Sequence, residues 1–123
     1  MDDLNYFLPG QVWQYDNRQG EEASTITVLK IDELDNDAII HIRIDNIVIG
    51  NEQEYLPHLP FSAEAIMESV SGFIKHIDEI PEFEEGYLYW KEQFDAGKAG
   101  YWSVPVKEAI DAISQLLSEK EKQ

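Results

Sequence analysis

The stretch AIIHIRIDNIVIG, Ala38 to Gly50, limits the fold most tightly, because its apolar residues alternate as in a strand and then change phase. Ile40, Ile42 and Ile44 share one face of an extended chain, whereas Ile47 and Ile49 have the opposite parity. A two-residue turn at Asp45-Asn46 reconciles them: Ile44 then opposes Ile47, Ile42 opposes Ile49, and all four face one core. A β-bulge at Asp45 would have the same effect. In both arrangements His41 and Arg43 project from the other face, so His41 is expected on the solvent side or second face of a sheet, without a catalytic partner.

The flanking segments extend this sheet. In GQVWQYD, Gly10 to Asp16, Val12 lies on one face and Trp13 and Tyr15 on the other, and DNRQGEE then supplies turn residues. STITVLKI, Ser24 to Ile31, is rich in β-branched residues and reads as a central strand, with Ile26 and Val28 on one face and Leu29 and Ile31 on the other. DELDND follows as a polar hairpin turn. Its acids do not alternate as an EF-hand loop requires, since Leu34 and Ile39 fall where oxygen ligands belong. NEQEYLPHLP, 51 to 60, is expected to be a loop because Pro57 and Pro60 cannot donate, and His58 sits between them.

Helices are expected in the second half. Ser62 caps one, Phe61 can staple onto Ile66, and Ile66, Val70, Phe73, Ile74 and Ile77 form its apolar face, with His76 at the flank. A second opens near Pro81 and ends at Gly97. GYWSV, Gly100 to Val104, reads as a short strand containing a core Trp102. Pro105 opens a last helix that buries Val106, Ala109, Ile110, Ile113 and Leu117, widened by Leu116, with Glu119 among its outward residues and SEKEKQ fraying or staying exposed. The expected fold is α+β in one domain, 1 to 123: an antiparallel sheet of about four to five strands, mainly from the N-terminal half, packed by about three helices from the C-terminal half.

Charge sets the functional classes. Nine Lys and Arg stand against 25 Asp and Glu, a net charge of −16 that repels nucleic acid and anionic lipid and favours basic protein surfaces. There is no cysteine, which excludes disulfides and thiolate chemistry. MDDLNYFLPG lacks the cationic and apolar regions of a secretory signal, so a cytoplasmic setting is expected. No phosphate-loop, dinucleotide, hydrolase or zincin signature occurs, and no catalytic residue, metal ligand or cofactor is assigned.

One segment remains distinctive: DEIPEFEEGYLYWKEQFDAGKAGYW, Asp78 to Trp102. Acids in a helix's first turn interact well with its dipole, but five of them, Asp78, Glu79, Glu82, Glu84 and Glu85, exceed what capping needs. On a helical wheel Phe83, Tyr87, Trp90 and Phe94 occupy a narrow inward arc, while Tyr89 stands opposite beside Glu82, Glu85 and Glu92. An amphipathic ring among carboxylates suits an interface with Lys or Arg. Glu82, Glu85, Tyr89, Glu92, Asp78 and Glu79 are therefore the candidate partner-binding residues.

LPGQVW, LPFSAEA and PEFEEGYLYWKEQFDAGKAG, at Leu8 to Trp13, Leu59 to Ala65 and Pro81 to Gly100, resemble a set of small, acidic, uncharacterised bacterial proteins. In size and acidity the chain also resembles the immunity proteins of bacterial toxin systems. That likeness implies a non-enzymatic protein that occludes a basic, nuclease-like toxin. Two alternatives stand beside it: a small enzyme or ligand-binding domain using His58 or His76 with a carboxylate, and an adaptor domain without a small-molecule site.

Overall fold

The computed structural model describes residues 7–34, 37–49 and 52–121, the last four as backbone only. Asp35 and Asn36 of the expected hairpin turn, and the expected outward side chain of Glu119, lie outside what is described. The elements run β1 (Gln11–Tyr15), β2 (Thr25–Glu33), β3 (Ala38–Ile49), β4 (Glu52–Ser62), α1 (Ala63–Ser69), β5 (Val70–His76), α2 (Glu84–Asp95) and α3 (Val106–Glu121). The fold is α+β. Its five strands form one antiparallel sheet in the order β4-β3-β2-β1-β5.

The phase change in Ala38–Ile49 is met by a bulge, not a turn. β3 runs straight through, but its pairing with β4 shifts between Ile44↔Leu56 and Ile47↔Glu54, and Asn46 takes φ 60. One extra residue on β3 returns Ile47 to the face of Ile44, and both are fully buried. A second bulge lies on β2, where Val28 pairs with Ile42 and Lys30 with His41. Leu29 is the unpaired residue. It moves Ile31 onto the face of Ile40, against the main core, instead of the opposite face expected of it.

Two expected elements are corrected. Residues 52 to 62 are a strand, not a loop: β4 is an edge, so Pro57 and Pro60 remove donors that a central strand would need and an edge does not. The outer edge of β4 is bridged at Phe61 by Trp102, through Ser62 N–H to Trp102 O and Trp102 N–H to Pro60 O. This bridge is all that GYWSV contributes to the sheet, and Trp102 packs partly buried against the core.

The helix at Ser62 begins as expected, with Ser62 Oγ accepting from Ala65 N–H and both Phe61 and Ile66 buried. It stops at Ser69. Val70, Gly72, Phe73, Lys75 and His76 instead pair with β1, because Gly72 disfavours helix and β-branched and aromatic residues suit a strand. Phe73 and Ile74 are consequently exposed, although Phe73 meets the Trp13 ring edge-on at 5.4 Å.

α2 starts three residues after Pro81 and ends in a Schellman cap: Lys98 N–H bonds Gln93 O, Gly97 N–H bonds Phe94 O, and Gly97 has φ +75. α3 buries Val106, Ala109 and Ile110, but Leu116 and Leu117 lie beyond the sheet and are exposed. Its helix continues through Glu121, so the backbone of the tail does not fray before that residue. Its first turn is anchored by buried Ser69, whose Oγ donates to Ala65 O and accepts from Val106 N–H. Glu21, also buried, pairs with Arg18 and accepts from Val48 N–H, while Arg18 reaches Asp111 and Ser114 and so ties the β1–β2 connection to α3.

The main core joins Trp13, Tyr15, Ile26, Val28, Ile40, Ile42, Ile44 and Phe61 to α1 and α3. The sheet's other face, carrying Ile39 and His41, is covered by α2.

Candidate functional site

Strand register assembles the site. His41 on β3 pairs with Lys30 on β2 and Pro60 on β4, so residues two positions along each neighbour lie diagonally beside it on the same face. These residues are Asp32 and His58. The bulge at Leu29 is required: with unbroken pairing from Val28↔Ile42, Asp32 would oppose Ala38 and point into the main core.

His41 is 0% exposed. Its Nε2 lies 2.9 Å from Asp32 Oδ2 and its Nδ1 2.8 Å from His58 Nε2. The Tyr87 hydroxyl donates to the same Asp32 carboxylate, at 2.9 and 3.2 Å. Burial pushes the His41 pKa below its ordinary value, even against the opposing hydrogen bond from Asp32. Burial, together with the neighbouring His41, takes His58 down to about 4. Burial and then the Asp32 carboxylate push the Tyr87 phenol up to about 12.

These contacts fix the order of the protons. A carboxylate only accepts, so His41 carries a proton on Nε2; with both rings neutral, as burial favours, its Nδ1 accepts from His58 Nε2–H. His58 Nδ1 is left with a lone pair. Every fully buried side-chain nitrogen and oxygen among the described residues has a hydrogen-bond partner; His58 Nδ1 has none, so it is not fully buried, and it lies on the side of Gly86, 3.8 Å from where a Cβ there would stand.

α2 closes over this chain of groups. His41 meets the rings of Tyr87 at 4.9 Å and Trp90 at 4.8 Å, both edge-on, and lies side by side with the His58 ring, centroids 5.0 Å apart and planes 14° from parallel, as their hydrogen bond requires. Trp90 in turn donates to Gly100 O and stacks on Phe94. A Cβ on Gly86 would stand 3.7 Å from His58 Cβ, in ordinary van der Waals contact, so α2 passes close to β4 here. Between them opens a pocket of about 310 Å³ lined by Pro57, His58, Glu82, Phe83, Glu84, Glu85 and Gly86.

The six candidate partner-binding residues are all exposed. Glu82 and Glu85 come together with His58 at the pocket. Tyr89 and Glu92 stand on the solvent side of α2, with Tyr89 69% and its neighbour Leu88 62% exposed. Asp78 and Glu79 precede α2, in the connection from β5. Phe83, Tyr87, Trp90 and Phe94 face inward as the wheel requires, with Trp90 the buried member. His76 lies apart on β5, bonded to Pro9 O.

The sequence reading missed Asp32, His41, His58 and Tyr87 as a unit. His41 is neither solvent-facing nor unpartnered, because α2 buries its face and Asp32 belongs to β2, not to the turn. A signal existed: the apolar positions of β2 change parity between Val28 and Ile31, just as those of β3 do after Ile44.

Chemically, the chain of groups can take a hydrogen bond or a proton at His58 Nδ1. A proton arriving there can be relayed from Nε2 to His41 and balanced by Asp32. Among the described residues no group of three or more His, Asp or Glu is placed to hold a metal ion, and no helix is long and apolar enough to cross a membrane. No family model, curated protein or solved structure matches this chain.

Proposed function

We propose that this chain is a binding domain for a basic protein surface, most concretely a cytoplasmic immunity protein that neutralises a cationic, nuclease-like toxin. The observation that carries this reading is the outward half of α2, where Leu88 and Tyr89 stand exposed among Glu82, Glu85 and Glu92. Exposed apolar surface ringed by one sign of charge is the composition of a docking patch. The carboxylates steer a basic partner and occupy the positions of its substrate's phosphates, while Leu88 and Tyr89 supply buried area.

The test has two stages. A partner is captured from native cells at low salt, and its association is then measured with Glu82→Lys/Glu85→Lys/Glu92→Lys and with Leu88→Ala/Tyr89→Ala. The charge reversals should slow association and flatten its salt dependence; the truncations should speed dissociation. Kinetics unchanged in both variants reject this face.

A second reading, a ligand site or small enzyme built on a histidine and carboxylates, is favoured by the opening of His58 Nδ1 toward the pocket. The lining offers an imidazole and three carboxylates, groups that can bind a donor or transfer a proton.

A further inference from the structure

The pocket beside His58 has an unusual balance of groups. Its side chains offer an imidazole lone pair, the carboxylates of Glu82, Glu84 and Glu85, and the Phe83 ring; among the described residues no Lys or Arg lines it. In most surface pockets a histidine can rotate its role to donor or acceptor as its surroundings require. Here the choice is removed from behind: Asp32 fixes His41, and His41 holds the only N–H of His58. The ring faces the pocket as an obligate acceptor. Lys30 lies over the Tyr87 ring and borders a separate cleft with Phe83, Glu84, Tyr87 and Leu88.

From this geometry we infer that the pocket is a socket for one arginine side chain of a basic protein partner, with the guanidinium donating to His58 Nδ1 and pairing with Glu82 and Glu85. The inference rests on α2 as the docking face and names the anchor beside it. An arginine fits the chemistry better than a neutral ligand. Its planar fork presents five donors to acceptors on two walls, it stacks on aromatic rings, and it is weakly hydrated. Glu82 and Glu85 belong both to the socket and to the outward patch, so one partner surface covers both.

The test uses the whole protein with histidine rings labelled with ¹⁵N, at pH 7 and low salt, titrated with N-acetyl-arginine amide. N-acetyl-citrulline amide, of the same shape without the charge, is the control. The His58 Nδ1 resonance should shift saturably with the arginine probe, His41 should follow, and citrulline should leave both unmoved. Glu82→Gln/Glu85→Gln alters exposed groups only and should weaken the response several-fold. Shifts spread over the exposed carboxylates with His58 unmoved, or equal responses to the two probes, overturn the socket. If the probe leaves His58 unmoved while the Leu88 and Tyr89 truncations still speed release of a captured partner, the socket fails and the docking face stands.

Discussion

His41 Nδ1 and His58 Nε2 stand 2.8 Å apart, in rings 14° from parallel, so two histidines on adjacent strands share one proton between them. Burial disfavours a positive charge on this pair, and stability should follow the proton count. Both rings have folded pKa values below the unfolded 6.5, with His58 near 4. Between pH 6.5 and about 4 the unfolded chain therefore binds a proton that folded His58 refuses, and His41 acts in the same direction. Stability falls as pH falls through that window, by at most about 1.4 kcal/mol per unit for each ring. Discharge of carboxylates relieves self-repulsion and acts oppositely. The informative quantity is thus the difference between wild type and His58→Phe in urea unfolding from pH 7.5 to 4.5: the variant should be less stable at pH 7.5 and lose less on acidification. Parallel pH profiles would contradict it.

Asp32 accepts from both His41 and Tyr87, so its removal strands two donors. Asp32→Ala should cost about 1–3 kcal/mol for each group left unpaired. Tyr87→Phe removes one donor without stranding the carboxylate and should cost less, on the order of 1 kcal/mol. Because the two residues share a bond, chemical denaturation of the double variant should show a coupling of about 0.5–3 kcal/mol. Simple additivity would mean that Tyr87 is held by its ring packing alone.

Glycines at two positions predict opposite signs. Gly86 lies inside α2 with room for a methyl, since an added Cβ meets only His58 at 3.7 Å. Gly86→Ala should stabilise by up to about 1 kcal/mol. Gly10 has φ +96, and an added Cβ would stand 2.6 Å from Ile77 O. Gly10→Ala should destabilise by more than about 1 kcal/mol. Thermal unfolding of the two variants separates them, and a shared sign would show that one local environment is misjudged.

Ser69 joins three elements through one hydroxyl, ending α1, preceding β5 and capping α3 at Val106. Ser69→Ala leaves the Val106 N–H buried without its acceptor, at a cost of about 1–2 kcal/mol. Hydrogen exchange should show protection lost first in the opening turn of α3. Uniform loss across the sheet would assign Ser69 a different role.

What could be read from the residues divides by the range of the cause. The two faces of α2, the Ser62 cap and the Gly97 terminus follow from local spacing, and all three are present. The phase change after Ile44 required a turn or a bulge, and pairing with β4 decided for the bulge. Segments whose state depends on a partner far along the chain were misread. Val70 to His76 has helical spacing, yet β1 offers it a free edge to pair with. Pro57 and Pro60 exclude a central strand, yet β4 is an edge. The same long-range register hid the site. Nothing near Asp32 in sequence marks it as the partner of His41; only the bulge at Leu29 turns it to that face.

The proton order of these groups is the claim on which the site rests, and it can be observed directly in the ¹⁵N spectrum of the histidine rings at pH 7. Both His41 and His58 should be neutral and protonated at Nε2, with His41 Nδ1 shifted as a hydrogen-bond acceptor and His58 Nδ1 carrying a lone pair exposed to water. A His58 protonated at Nδ1, or a His41 imidazolium beside Asp32, would contradict the account, because the pocket would then face a donor in place of an acceptor.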